Sequence, residues 1–183
     1  KEELKLQSKA GMIVARVLPD ESITVNLGEP SFDPQALPFQ VESKKDFYQL
    51  DIQAEEIEFG AVSLGNPHAV IAVDSVDVAP VDILGPALGS HSVFPRGVNV
   101  GFVEITNQTQ VNLRVFERGV GETPGCGTGA AAAVAVGRCW KALAENVLVN
   151  LPGGTLSVNW AGAGSPLWLQ GPATRVYEGQ IEL

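Results

Sequence analysis

The sequence predicts a mixed α/β (α+β) fold in which a β-sheet curls around one buried helix. Two observations indicate this class. Many short segments alternate apolar and polar residues as strands do, and residues 130–136, AAAAVAV, are apolar on every side of a helix. A helix without a polar face is buried all round, and a sheet is the element that can enclose it.

The strands are separated by turns that contain Gly, Pro, Asn or Asp, which is the pattern of successive short strands. In the first part of the chain the predicted strands are 4–8, 12–18, 23–27, 48–57 and 59–64, with an ordered connection at 29–46. After a turn at 65–67 the predicted strands are 69–73, 98–105, 111–116, 147–150, 155–160, 167–170, and a last strand from 173–177 with 181–183.

Two helices are predicted between these strands. A short helix covers 81–88, and the buried helix runs from about Gly127 to Leu143. Cys126 stands directly before the buried helix, where the first backbone N–H groups have no helical partner. Because these donors and the helix dipole favour negative charge, we expect a lowered pKa for the Cys126 thiol, and the same N–H groups could hold a carboxylate.

The composition limits the classes of partner. The chain has 183 residues, 45% of them apolar, and a formal net charge of −9. It has no cluster of Lys and Arg, so we expect neither nucleic acid nor a membrane as a partner. Cys126 and Cys139 are too far apart along one predicted helix to be bridged. Without a signal-like segment at its start, the chain is expected in the cytoplasm.

Four motifs follow one another along the chain: GNPH at 65–68, FPRGVNVGF at 94–102, ERGVGETPGCGTGA at 117–130 and LPGG at 151–154. In this order and spacing they resemble those of the diaminopimelate epimerases. The resemblance covers essentially the whole chain, but only the later two-thirds of a family member.

The resemblance implies two pseudo-symmetric domains, each a sheet around a central helix, with the substrate in the cleft between them. It places residues 1–26 as strands of a largely missing N-terminal domain, 27–171 as the C-terminal epimerase domain, and 172–183 as a return strand to the N-terminal domain. It also implies one cysteine at the head of each central helix, so that this chain carries one of the two.

The implied activity is the interconversion of LL- and meso-diaminopimelate in lysine and peptidoglycan precursor biosynthesis, with two thiols and without a cofactor or metal. Inverting an α-carbon requires a base on one face and an acid on the other. The resemblance assigns Cys126 as one of these thiols and places His68 and Glu117 beside it as catalytic residues. The charge that develops on the substrate carboxylate needs oriented donors, a role that the N–H groups of Gly127 and Thr128 fit.

The remaining substrate-binding residues are also carried over from the family. Arg118 matches an arginine that binds the far carboxylate, and a guanidinium suits a planar two-oxygen partner. Asn66 and Asn99 match amides that bind the distal amino-acid end, and Glu117 is expected to accept from the substrate ammonium.

Each of these residues also has an ordinary structural interpretation. A cysteine before an Ala-rich helix is commonly a core residue, His68 and the two asparagines suit turns, and Glu117 with Arg118 suits a solvated pair. For the whole chain, the alternatives are a catalytically incomplete fragment, inactive alone because half of the cleft is missing, and a related cofactor-independent racemase or isomerase. The expected partners are diaminopimelate and the missing N-terminal domain, and a homodimer is left open.

Overall fold

The computed structural model of the chain describes residues 2–8 and 11–181. These residues form strands and helices that we number in chain order. The first are β1 (Glu2–Ser8), β2 (Gly11–Val17), β3 (Ile23–Asn26), β4 (Tyr48–Ile52), β5 (Glu55–Ser63) and β6 (Pro67–Ala72). They are followed by α1 (Val81–Gly89), β7 (Asn99–Asn107), β8 (Gln110–Glu117), β9 (Gly121–Thr123), α2 (Gly127–Cys139), β10 (Asn146–Leu151), β11 (Gly154–Asn159) and β12 (Trp168–Gly171).

The described strands form one continuous sheet in the order β1-β2-β3-β12-β11-β10-β8-β7-β6-β5-β4, and β9 pairs with β8. Two neighbouring pairs are parallel, β6 with β7 and β8 with β10. A parallel pair needs a crossover connection, and α1 lies in the first crossover and α2 in the second. The helices cover opposite faces, because Ala69 and Ile71 of β6 pack in the cluster around α1 while Val70 packs in the cluster around α2.

Helix α2 is enclosed by the sheet. Every residue from Gly129 to Gly137 is buried, and the surrounding cluster includes residues of β5, β6, β7, β8, β10 and β11. Small residues on both sides allow this close approach: a Cβ added at Gly60 of β5 would lie 2.4 Å from a methyl carbon of Val136. The predicted mixed α/β class, with a sheet around a buried helix, is therefore confirmed.

The end of α2 differs from the prediction, which extended the helix to Leu143. The helix ends at Cys139, because Lys141 adopts the left-handed conformation with φ 59°. The N–H groups of Lys141 and Ala142 then bond back to the carbonyls of Arg138 and Gly137, at 2.9 and 3.0 Å. This pattern is a Schellman motif, which usually has Gly where Lys141 stands.

The predicted strand 48–57 is also wrong, since this segment is a hairpin. Strands β4 and β5 are antiparallel, and Ile52 pairs with Glu55. The two residues between them, Gln53 and Ala54, have φ of 54° and 66°, which are the values that a two-residue type I′ turn requires. Neither residue is a usual turn former, so the sequence shows no break in the alternation of apolar and polar residues between the two strands.

The predicted last strand is absent from the described residues. Residues 172–181 have no regular secondary structure, and residues 182 and 183 lie outside the described part of the chain, as do residues 1, 9 and 10. A strand needs a paired neighbour for its backbone groups, and no described strand pairs with 172–181. Val176, Tyr177 and Ile181 are exposed. Neither described helix has the length and apolar character needed to cross a membrane.

Candidate active site

Cys126 is the N-cap residue of α2. Its backbone is extended, with φ −137° and ψ 107°, and its carbonyl accepts the first helical bond from Ala130 at 2.9 Å. The N–H groups of Gly127 and Thr128 are in the first turn, where no preceding helical carbonyl is available. The sequence thus places a thiol at the positive end of a helix that the sheet encloses.

The thiol lies against a carboxylate and a hydroxyl group. Its Sγ is 3.2 Å from Glu117 Oε2, to which the S–H donates. On the other side it is 3.7 Å from Thr128 Oγ1. Glu117 is the last residue of β8, so the end of one strand and the start of the helix bring the acid and the thiol together.

The expected lowering of the Cys126 pKa is wrong for this structure. The side chain is 6% exposed, and burial, which disfavours the charged form, raises the pKa of the thiol. Thr128 and the N–H of Gly129 oppose this shift, while the hydrogen bond to Glu117 and its negative charge add to it. Cys126 is therefore a protonated thiol near neutral pH.

A second chain of hydrogen bonds leads from the thiol into the sheet. Asn66 Nδ2 donates to Thr128 Oγ1 at 3.2 Å, and Asn66 Oδ1 lies 3.2 Å from His68 Nε2. His68 is 1% exposed. Burial and the positive charge of Arg118 lower its pKa to about 3, so His68 is neutral near pH 7 and donates through Nε2 to Asn66.

Asn99 and Arg118 form a separate group at the ends of β6, β7 and β8. Asn99 is 5% exposed; its Oδ1 accepts from the backbone N–H of Arg118 at 2.9 Å, and its Nδ2 donates to the Pro67 carbonyl at 3.1 Å. Arg118 Nη1 donates to the carbonyl of Arg96 at 2.7 Å. The Arg118 side chain also lies over Gly97, where a Cβ would be 2.9 Å from Arg118 Cδ.

An apolar cavity adjoins Cys126, and Glu117 is not among the residues that line it. Its volume is about 470 Å³, and Leu151, Leu156, Leu169 and Pro172 line it together with Cys126. The LPGG loop is fixed beside it, because the Gly153 N–H donates to the Pro124 carbonyl at 2.6 Å. This wall of the site therefore carries no ionisable side chain other than the thiol.

The structure brings together five of the predicted residues, Cys126, Glu117, Thr128, Asn66 and His68, in one hydrogen-bonded network. Thr128 takes part through its hydroxyl group, whereas the prediction concerned its backbone N–H. Arg118 and Asn99 lie beside it and contact each other. Cys139 is at the other end of α2, outside this network, and both cysteines are free. Among the described residues, no group of His, Cys, Asp and Glu is arranged to hold a metal ion.

One residue of the network was missed. Thr123 Oγ1 donates to Glu117 Oε1 at 2.6 Å. The sequence suggested only a turn between Glu117 and Cys126, whereas residues 121–123 form β9, in which Thr123 pairs with Val115 and Gly121 with Glu117. The sequence feature that could have indicated this contact is the Thr of the GET motif. With glycines at 119 and 121, its spacing from Glu117 suits a short hairpin.

The fold belongs to the class seen in several epimerases, racemases and isomerases. A hydroxyproline epimerase from Agrobacterium vitis aligns with a TM-score of 0.64 at 19% identity, covering 93% of this chain and 57% of that one. A probable proline racemase from Agrobacterium radiobacter K84 aligns with a TM-score of 0.65 at 17% identity, covering 100% and 61%. A methylitaconate-delta-isomerase aligns with a TM-score of 0.65 at 13% identity, covering 98% and 65%. At these identities the likeness concerns the fold alone.

Within that class the sequence identifies the family. Residues 60–176 match the family described as diaminopimelate epimerase, and the chain belongs to that family. It is 49% identical over 181 residues to the diaminopimelate epimerase of Alkalilimnicola ehrlichii and 48% identical over 184 residues to that of Thioalkalivibrio sulfidiphilus. The chain spans 65% and 66% of the lengths of these two relatives.

Proposed function

We propose that the protein containing this chain is a cofactor-independent epimerase that interconverts LL- and meso-diaminopimelate in lysine biosynthesis in the cytoplasm. The family membership supports the substrate. The observation that carries the chemistry is the position of Cys126, a thiol at the start of an enclosed helix with its S–H directed at Glu117, 3.2 Å away. A thiol so placed can exchange a proton with a bound α-carbon.

In the proposed reaction Cys126 is one of two acid/base groups. The second is a cysteine of the N-terminal part that is not in this chain. As a thiolate it removes the α-hydrogen as a proton from one face and becomes a thiol, while the C–H electron pair moves toward the substrate carboxylate. Cys126 delivers its S–H proton to the other face, which inverts the centre and leaves Cys126 as the thiolate. The reverse direction exchanges the two roles.

The start of α2 supplies the stabilisation that this step needs. The N–H groups of Gly127 and Thr128 are proposed to donate to the substrate carboxylate, where the negative charge increases. Losing one such preorganised donor typically raises a barrier by roughly 2.7–4 kcal/mol. The N–H of Gly129 favours the Cys126 thiolate, so the same helix turn is suited to stabilise first the charge on the substrate carboxylate and then the thiolate that remains after Cys126 gives up its proton.

The far end of the substrate is assigned to the second group of polar residues. A guanidinium has five N–H donors, and the described contacts of Arg118 use only Nη1. Arg118 is therefore proposed to bind the distal carboxylate. Asn66 and Asn99 are proposed to hold the distal amino-acid end, with Glu117 accepting from the ammonium next to the reacting carbon and neutral His68 keeping the Asn66 amide oriented.

The exposed leucines of β1 support the proposed division into domains. Strand β3 joins the sheet by pairing with β12, and β1 and β2 extend it further. Leu4 and Leu6 of β1 pair with Ala15 and Ile13 of β2, so they share one face, and they are 45% and 52% exposed. We propose that residues 1–26 and 172–183 belong with the N-terminal domain, while 27–171 form the C-terminal domain.

The test compares Cys126→Ser with Cys139→Ser in the full-length protein. Deuterium uptake at the α-carbon of diaminopimelate in D₂O should fall by about 10²–10⁴-fold for Cys126→Ser, the usual contribution of a general acid or base. Cys139→Ser alters the cysteine at the other end of α2 and should keep the wild-type rate. Unchanged uptake in Cys126→Ser would refute the assigned role.

The alternative of an incomplete fragment is tested separately. The 183-residue chain alone should show no turnover, and adding the N-terminal part as a second polypeptide should restore it. Turnover by the chain alone would show that the second acid/base group is not needed. Isothermal calorimetry with other amino acids would test the remaining alternative, a related racemase with a different substrate.

A further inference from the structure

We propose that Thr123 is a positioning residue of this site, which holds the Glu117 carboxylate in the orientation that faces the Cys126 thiol. The Thr123 hydroxyl donates to Glu117 Oε1 at 2.6 Å, while Glu117 Oε2 accepts from Cys126 Sγ at 3.2 Å. One carboxylate oxygen is therefore fixed by Thr123 and the other is presented to the sulfur. This inference rests on the proposed function only for its effect on turnover.

Glu117 has little else to hold it in this orientation. Glu117 is half-buried, and a glutamate has three rotatable side-chain bonds, so an unrestrained carboxylate here could turn toward water. None of the ion pairs found among the described residues includes Glu117, and the side chain of its neighbour Arg118 bonds to the carbonyl of Arg96 instead. The hydroxyl of Thr123 is thus the neutral donor that restrains Glu117 without cancelling its charge.

Thr123 is itself held in place from both sides. It pairs with Val115 in the short β8–β9 hairpin, and its β-branched side chain has few rotamers available. The next residue, Pro124, accepts a 2.6 Å hydrogen bond from Gly153 of the LPGG loop. A threonine anchored on both sides is suited to fixing another side chain.

Glu117 is the charged group that acts on Cys126 among the described residues. The thiol also lies near the hydroxyl of Thr128, which accepts from Asn66 of the neutral Asn66–His68 pair, and it lines the cavity together with Leu151, Leu156, Leu169 and Pro172. A change in how easily Cys126 ionises would therefore report the position of Glu117.

The experiment measures the pH midpoint of Cys126 alkylation by iodoacetamide in the full-length protein. Trypsin releases Cys126 within 119–138 and Cys139 within 139–141, so mass spectrometry of the peptides reports Cys126 separately. Thr123→Val removes the hydroxyl and keeps the shape, and Thr123→Ser keeps the hydroxyl. Thr106→Val is the matched control, because Thr106 is an exposed strand threonine whose hydroxyl also donates a hydrogen bond.

Without Thr123, Glu117 turns to water, and the thiol loses an acceptor and a negative neighbour that both favour the protonated form. The alkylation midpoint of Thr123→Val should therefore fall by about one pH unit, the size of a typical charge effect. It should fall in Glu117→Gln as well, and the double variant should show no further shift. Thr123→Ser and Thr106→Val should keep the wild-type midpoint. Thr123→Ala is a second hydroxyl-free variant if Thr123→Val folds poorly.

A wild-type midpoint in Thr123→Val and Thr123→Ala, or a shift that adds fully to that of Glu117→Gln, would overturn the assignment. Turnover provides a second measurement: kcat for diaminopimelate should fall about tenfold in Thr123→Val, with KM little changed and Thr123→Ser restored to the wild-type value. If the wild-type protein does not turn over diaminopimelate, the proposed function fails, and the alkylation result still decides the role of Thr123.

Discussion

The two helices lie on opposite faces of one sheet, each in a crossover between parallel strands, yet they are built from different residues. Helix α1 is amphipathic, with Leu84 and Leu88 buried and Asp82 and Ile83 exposed. Helix α2 is Ala- and Val-rich and buried on every side from residue 129 to 137. Large side chains thus cover one face of the sheet, and small ones fill the space inside its curve.

This difference explains where the candidate active site lies. A helix enclosed by strands exposes no side of its own, so polar groups can reach it only at its ends. The start of α2 meets the ends of β8 and β9, which places Cys126 beside Glu117 and Thr123. Helix α1 starts after Pro80, without a side-chain cap, and its buried side chains pack in the apolar cluster on the other face of the sheet.

The largest expected effect on the free energy of unfolding comes from loss of packing between α1 and the sheet. Leu88 is fully buried in the α1 cluster, and Leu88→Ala should lower the free energy of unfolding by about 2–5 kcal/mol, measured by urea denaturation. Ile83→Ala, at a position that is 49% exposed on the same helix, should change it by no more than about 0.5 kcal/mol. Equal losses at the two positions would show that α1 is not amphipathic in solution.

At α2, in contrast, the free energy of unfolding should be sensitive to side chains that are too large for the enclosed space. Ala132 is fully buried between the helix and the sheet, and Ala132→Leu should cost about 1–3 kcal/mol through overpacking. Ala87→Leu adds the same atoms to the half-buried side of α1 and should cost less. A larger loss for Ala87→Leu than for Ala132→Leu would contradict the enclosure of α2.

The sequence alone predicted the enclosure of α2, because the Ala/Val run at 130–136 leaves the helix without a polar face. It did not predict the end of α2, because the left-handed residue there is Lys141 and not Gly. For the same reason the β4–β5 turn was missed, since Gln53 and Ala54 adopt positive φ without being turn residues. Strand β9 was missed because three residues are too few to show alternation.

The site was predictable to the extent that its motifs are local. Cys126 at the start of a helix could be recognised from residues 117–130. Whether its pKa is raised or lowered could not be predicted, because burial by residues distant in sequence and the orientation of the Glu117 carboxylate both raise it. Similarly, no pattern near Asn66 shows that its amide joins His68 to Thr128, 62 positions further along the chain.

A buried histidine on the face of the sheet that encloses α2 should make the free energy of unfolding depend on pH. His68 shares that face with Val70, and its pKa is lowered to about 3 in the folded protein, against an ordinary value of 6.5. Between these values the unfolded chain binds more protons, so the free energy of unfolding should decrease as pH falls from about 6.5 toward 3. The contribution of His68 is up to about 1.4 kcal/mol per pH unit.

Urea denaturation at several pH values between 4 and 7 checks this slope. His68→Gln removes the titrating group and should flatten the dependence, whereas His91→Gln changes the other histidine and leaves His68 in place, so it should keep the full slope. A wild-type slope in His68→Gln would mean that the acid sensitivity arises elsewhere.

The smallest effect concerns how the two helices end. Helix α2 ends through Lys141 in the left-handed region, which costs a non-glycine residue about 1–2 kcal/mol, while α1 ends at Ser90 with φ −113° and no such strain. Glycine relieves the strain at 141 but adds freedom to the unfolded chain, worth about 0.5–1 kcal/mol. Lys141→Gly should therefore raise the free energy of unfolding by about 0.5 kcal/mol.

Two matched variants separate this backbone effect from the loss of a side chain. Lys141→Ala removes the charge and keeps the Cβ, so it should not stabilise the protein. Ser90→Gly should lower stability, since Ser90 Oγ donates to the Pro86 carbonyl at 2.7 Å and its backbone has no strain to release. If thermal unfolding ranked Lys141→Ala with Lys141→Gly, the gain would come from the lysine side chain, and the left-handed end would not distinguish α2 from α1.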